Sequence, residues 1–230
     1  MTLSDPEWLA LLTSLSVAAR ALVFTLPVAI ALGWVLARKR FPGRSLLDAL
    51  VHSPLVLPPV VVGYVLLLIF GVQGPIGRWL DTNFDMRLVF TTNGAALAAG
   101  IVALPIMIRT IRLSLEAIDP RLELAARCLG AGAIDRFFSV TLPLALPGIS
   151  AAAVLGFAIC LGEFGAVITF AANVPGETQT LALAIYGALQ TPGGETVAMK
   201  LALISMTIAL VALLAAEWLG RWAQRWSRRP

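Results

Sequence analysis

The sequence predicts an all-α membrane protein with five transmembrane helices, and three observations predict it. Apolar side chains make up 59% of the 230 residues and charged ones 13%, roughly half the charge that a soluble domain carries. Apolar runs of about 20 residues, the length of helix that crosses a bilayer, recur with charge confined to the gaps between them. Basic residues also sort to alternate gaps. Because hydrocarbon offers the backbone no hydrogen-bond partners, each run satisfies itself internally as a helix.

Taken in order, the expected spans are 21–37, 54–72, 88–108, 147–171 and 201–216. Arg38, Lys39, Arg40 and Arg44 follow the first. Arg109, Arg112, Arg121, Arg127 and Arg136 follow the third, and Arg221, Arg225, Arg228 and Arg229 form a basic tail over 220–230. The other side holds only Arg20, Arg78, Arg87 and Lys200. The positive-inside rule therefore places the amino terminus outside and the carboxyl terminus in the cytoplasm, which five crossings satisfy. The net charge of +4 follows from this sorting, with no need for a nucleic-acid partner.

The opening "MTLSDPEWLA" has acids and no basic n-region, so no cleaved signal peptide is expected. Leu9, Leu12 and Ser16 read as an amphipathic extension lying on the outer interface before the chain turns inward, with Arg20 snorkelling there. In the second span Pro54, Pro58 and Pro59 each remove a backbone donor. Two readings stand: a bent helix beside a cavity, or a kink that improves packing. His52, the sole histidine, has no acid or second histidine at ligand spacing and receives no role. "FGVQGPIGRWLDTNFDMR" reads as a solvated outer loop. Cys128 and Cys160 fall at different depths, read as packing residues, and leave no metal site.

The third span is expected to run on to Asp119, where Asp119 caps and Pro120 starts a new cytoplasmic helix. Leu122, Ala125, Ala126 and Leu129 share one face of it, Leu124 and Cys128 the other, with Glu123 and Arg127 spaced for an i,i+4 ion pair. Gly130 supplies the break through a positive φ. A second short helix follows, with Ile134, Phe137, Phe138 and Thr141 on its apolar side and Asp135 and Arg136 toward water, and Pro143 redirects the chain into span four. Such a helix with two apolar strips fits another protein's groove, or lies on the membrane as an elbow.

The stretch "AARCLG", followed after nine residues by "VTLP", resembles the EAA loop of the inner-membrane permeases of binding-protein-dependent ABC importers. Ala125, Ala126, Gly130, Leu142 and Pro143 match that pattern. Leu124 stands where glutamate is usual, with Glu123 one place earlier, and Val140 replaces isoleucine. "VLPPVVVGYVLL" at 56–67, "CLGEFGAVITFAANVPGETQT" at 160–180 and "QTPGGE" at 190–195 are similar to the molybdate branch of the family. The resemblance implies an ABC type-1 transmembrane domain over 11–219, with residues 120–143 as the loop that couples to a separate ATPase.

It further implies two copies of the permease, two ATPase subunits, a periplasmic molybdate-binding protein and an inner-membrane location. No G-x-x-x-x-G-K-[ST] phosphate loop occurs in the chain, so ATP chemistry is expected from another polypeptide, and neither cofactor nor catalytic residue is assigned here. Tungstate or sulfate and thiosulfate are the alternative cargoes, and a passive anion channel is the alternative class.

Glu163 is the acid deep in a span, flanked by Gly162 and Gly165, and burying a carboxylate there costs about 2.5–3.5 kcal/mol. It reads as a pathway or gate element, grouped with Pro58 and Pro59, or as a packing carboxyl. Direct anion binding is disfavoured by like charge. Residues 181–189 are expected to form a short outer helix or a re-entrant segment, too brief to cross. Trp218, Trp222 and Trp226 share a helical face as an anchor for lipid.

Overall fold

The computed structural model describes residues 3–227, with side chains as far as Trp218 except those of Ala216 and Glu217. Among these residues every regular element is helical. The helices are α1 (Asp5–Arg38), α2 (Arg44–His52), α3 (Pro59–Phe70), α4 (Pro75–Phe84), α5 (Thr92–Glu116), α6 (Pro120–Cys128), α7 (Ala133–Arg136), α8 (Leu142–Gly162), α9 (Gly165–Ala171), α10 (Leu181–Leu189) and α11 (Glu195–Ser227). Four stretches are long and apolar enough to cross a membrane: α1, α5, the continuous helix Ala133–Gly162 and Glu195–Ala215. A fifth candidate crossing is a bent pair, Arg44–Leu55 and Pro59–Phe70, meeting at 115°.

Helix α5 is the hub, packed against α1, α8 and α9. Its sequence explains why: Ala95, Ala96, Ala98, Ala99 and Ala103 are fully buried, and small residues let helix backbones approach where lipid supplies no hydrophobic drive. Gly33 of α1 serves the same end, since a Cβ there would lie 3.0 Å from Ile111 Cγ2. Thr91 starts α5 by accepting a hydrogen bond from the Gly94 amide at 3.1 Å.

The first span is longer than expected. Asp5–Arg38 forms one helix of 34 residues, so the anticipated interfacial extension with a turn does not occur. Its amino-terminal part is held by protein: Ala10 packs with Leu181 and Leu201, and the Ser14 hydroxyl accepts the Leu181 amide at 2.6 Å. Leu9 and Leu12 face outward instead. Arg20 donates to Asn93 Oδ1 at 2.8 Å, which ties α1 to α5. Glu7 pairs with Lys200 Nζ, N···O 2.6 Å, and so fastens α1 to α11.

The connection read as a solvated loop contains α4, begun by Gly74 and Pro75, with Trp79 packed edge-on against Phe84 at 5.3 Å between centroids. Proline at the first helical position is pre-set for a helix start, which outweighs the loop-like composition. Helix α10 spans Leu181–Leu189 as expected, capped by Thr180. Helix α11 runs on to Ser227. Trp218 is exposed, whereas the side chains of Trp222 and Trp226 lie outside the described residues.

Candidate functional site

Helix α6 is built by its flanking residues. Asp119 Oδ1 accepts the Arg121 amide at 2.9 Å, and Pro120 opens the helix. At the far end Gly130 takes φ +90°. The Ala131 amide donates to Ala126 O at 3.0 Å and the Gly130 amide to Arg127 O at 3.0 Å, the paired bonds that close a helix through a left-handed residue. A Cβ on Gly130 would meet nothing within 4 Å; backbone conformation alone selects glycine there.

No residue of α6 is buried. Leu122, Leu124 and Leu129 are 48%, 56% and 89% exposed, so both apolar strips stand free of the chain's own spans, Ala125 is exposed, and Ala126 is only half-covered. The expected Glu123–Arg127 ion pair is absent among the described interactions. Instead Glu123 Oε1 lies 3.1 Å from Arg38 Nη2 and accepts the Thr141 hydroxyl at 3.0 Å. The ion pair is close without being aligned as a hydrogen bond, because Arg38 Nε and Nη2 have no hydrogen-bond partner. A charge at the end of α1 outcompetes an exposed neighbour on the same helix, whose pairing is worth only tenths of a kcal/mol.

The return segment departs further from expectation. Arg136 folds back and donates to Ala131 O at 2.9 Å, bracing the Gly130 reversal. Phe137 packs edge-on against Trp34 of α1, centroids 6.0 Å apart. Residues Phe137–Thr141 form a π-turn, with the Leu142 amide bonded to Phe137 O. Pro143 follows at once, without redirecting the chain. A proline ring crowds the carbonyl four residues earlier and offers no N–H; widening the helix by one residue per turn accommodates it. Leu142 is half-buried and Pro143 exposed within the continuous helix Ala133–Gly162.

Span four does not continue to Ala171. It breaks at Glu163 and Phe164, and α9 begins at Gly165. Glu163 has extended backbone, is 8% exposed, and its Oε1 accepts the Ala166 amide at 2.8 Å. It caps α9 from a break rather than projecting from mid-helix. The second span breaks too, more sharply than a kink, at residues 56–58. The two breaks meet. A Cβ on Gly165 would lie 2.9 Å from Pro59 Cβ, and one on Gly63 would lie 2.7 Å from Ala166 O. Pro58 caps and Pro59 starts α3, so Pro58, Pro59, Glu163 and Gly165 gather at one place. Gly162 does not share the close approach, since a Cβ there would meet nothing within 4 Å.

At the basic end α2 lies across α5. Arg112 pairs with Asp48 at 3.3 Å and Glu116 at 2.8 Å, and His52 Nδ1 donates to Asp48 O at 2.8 Å. With Arg109 they line a cavity of about 540 Å³. Sequence reading missed Arg38, Asp48 and Thr141 as members of these networks: Arg38 and Thr141 reach Glu123, and Asp48 reaches Arg112, from distant parts of the chain. By contrast His52, read as having no acid at ligand spacing, has Asp48 one helical turn before it, 3.3 Å away.

Four apolar spans with a fifth, bent candidate, a capped helix standing clear of the bundle at the basic end, and two broken helix pairs packed together define a membrane transport permease. The chain belongs to the binding-protein-dependent transport system inner membrane component family, whose pattern matches residues 29–225; it is a multi-pass inner-membrane protein. It is 53% identical over 221 residues to the molybdenum transport system permease protein ModB of Escherichia coli K12, covering 96% of each chain. It is 51% identical over 208 residues to ModB of Haemophilus influenzae, covering 90% of this chain and 91% of that one. The sulfate transport system permease protein CysT of Escherichia coli K12 is 42% identical over 159 residues, 69% of this chain and 57% of its own. Among solved structures, a bacterial alginate ABC transporter superposes with TM-score 0.75 at 18% identity, covering 95% of this chain and 79% of that chain. The MetNI methionine ABC transporter superposes with TM-score 0.67 at 18% identity, covering 96% and 99%. The shared fold is that of ABC type-1 importer transmembrane domains.

Proposed function

We propose that this chain is the membrane-spanning subunit of an ATP-driven importer for molybdate, working as a homodimer with two ATPase subunits. A periplasmic binding protein delivers the oxyanion to the side bearing α10, and the basic end faces the cytoplasm. Cyclic pairing fits a bundle whose five crossings enclose no path alone. The observation that carries the reading is α6: a helix capped at both ends, anchored through Glu123, yet with its leucines exposed, is shaped to enter a groove on another chain.

In this reading, closure of the ATPase pair pushes α6, and the Ala133–Gly162 helix passes the tilt to the break at Glu163. There, with α3 and α9 in backbone contact, the packed Pro59–Gly165 pair opens or seals the path. Glu163 acts by holding α9 and as a gate element, not by binding an anion that its charge repels. Identity of 53% along 96% of a molybdenum permease favours molybdate over sulfate, whose permease aligns over only 57% of its length. A passive channel would leave α6 without a purpose.

The test is uptake of labelled molybdate by vesicles carrying this chain, with the ATPase and binding protein each present or omitted. Uptake that requires both and resists excess sulfate is expected. Uptake by the permease alone would establish a channel, and equal competition by sulfate would change the cargo.

A further inference from the structure

Beside the basic end of α1 is an open groove of about 320 Å³ lined by Ala31, Trp34, Ala133, Ile134, Phe137 and Phe138. One wall is α1 and the other is the segment that leads from α6 into α8. Every lining residue is apolar or aromatic, and Ile134 and Phe138 remain 77% and 61% exposed. Contiguous exposed apolar surface of this kind marks a place where something binds.

The surrounding charge identifies the occupant. Lys39 Nζ stands 5.2 Å from the centroid of the Trp34 ring, and Lys39 and Arg40 are exposed without an ion-pair partner among the described residues. Neighbouring acids are engaged: Glu123 with Arg38 and Thr141, and Asp135 as acceptor for the Ser139 hydroxyl at 2.8 Å. From Ala31 to Lys39 the helix rises about 12 Å, so the apolar groove lies at acyl-chain depth and the two cations at headgroup depth. Tryptophan prefers that boundary.

We propose that an acidic phospholipid of the cytoplasmic leaflet occupies this groove, its acyl chain against Trp34, Phe137 and Phe138 and its phosphate on Lys39 and Arg40. The lipid then bridges α1 to the return segment of the α6 loop. The site rests on the orientation proposed above, but its test does not depend on cargo or on sidedness.

The test uses the assembled importer in nanodiscs, whose two leaflets carry the same lipid. Quenching of Trp34 by brominated phosphatidylglycerol is compared with quenching by brominated phosphatidylcholine, and Trp34→Phe isolates the signal from the other tryptophans. A preference for the acidic lipid of about fivefold per basic residue is expected, lost in the Lys39→Gln/Arg40→Gln double variant. Ala31→Phe, which fills the groove and leaves the charges, should lose Trp34 quenching by both lipids while the ATPase still co-purifies. Equal quenching by the two lipids, an undiminished preference in the double variant, displacement by inorganic phosphate, or cross-linking of Ile134 to the ATPase or to a second permease would each overturn the proposal.

Discussion

Glu123 on the loop helix and Arg38 at the end of the first span stand 3.1 Å apart, and the same carboxylate oxygen holds the Thr141 hydroxyl. One side chain thereby joins three separated parts of the chain: the end of α1, the exposed helix and the entry to α8. The pair is partly solvated, with side chains 17% and 28% exposed, so its worth lies in position more than in stability.

Replacing Glu123 with Gln, or Arg38 with Gln, should cost each protein only about 0.5–1 kcal/mol, measurable as a small loss of thermal stability in detergent. Molybdate uptake should fall several-fold while ATP hydrolysis by the complex persists. A double-mutant cycle on uptake should show the two losses to be non-additive. Additive losses would mean that the two residues act separately.

Gly130→Val should abolish association with the ATPase, because a β-branched residue at φ +90° carries a left-handed penalty of about 1–2 kcal/mol before its branching is counted. Gly130→Asn should retain association, since asparagine tolerates that conformation. Membrane insertion should be unaffected in both. Co-purification with the ATPase is the measurement.

Three glycines near the breaks and Gly176, between α9 and α10, should respond differently to substitution. Gly63→Ala and Gly165→Ala place a methyl 2.7 Å from Ala166 O and 2.9 Å from Pro59 Cβ respectively, and should destabilise by about 1–3 kcal/mol. Gly162→Ala, which meets nothing within 4 Å, and Gly176→Asn at a positive φ should be tolerated. Thermal unfolding of the four purified variants separates them.

Glu163→Gln keeps an oxygen to accept the Ala166 amide, whereas Glu163→Ala loses the cap at a cost of about 1 kcal/mol. The Gln variant should assemble normally and transport more slowly; the Ala variant should also lose thermal stability. Wild-type uptake by Glu163→Gln would confine the residue to capping.

How much of this was legible in the sequence depends on the range over which each signal acts. Hydropathy located the four long apolar helices and the bent pair that forms a fifth candidate, because a bilayer imposes one length on each crossing. Asp119, Pro120 and Gly130 were legible as helix punctuation, because caps are decided by the residue itself. The break at Glu163 was hidden inside an apolar run: Gly-Glu-Phe-Gly changes the mean hydropathy little, although the Ala166 amide that fixes it lies only three positions on, at cap spacing. Arg38 with Glu123 and Glu7 with Lys200 left no local trace at all, since those opposite charges meet across 85 and 193 positions. At α4 composition misled, since glycine and proline mark helix starts as well as loops.

The unbroken helix Ala133–Gly162 makes angular phase, as well as length, a constraint on this chain. One residue added anywhere between Leu144 and Leu161 would advance the far end by about 100° and 1.5 Å, swinging the Glu163 corner away from Pro59 while both ends kept their own local chemistry. Insertions or deletions there should therefore be ruinous one at a time and gentler when they restore a near-whole turn, a periodicity that an insertion scan of transport would display directly.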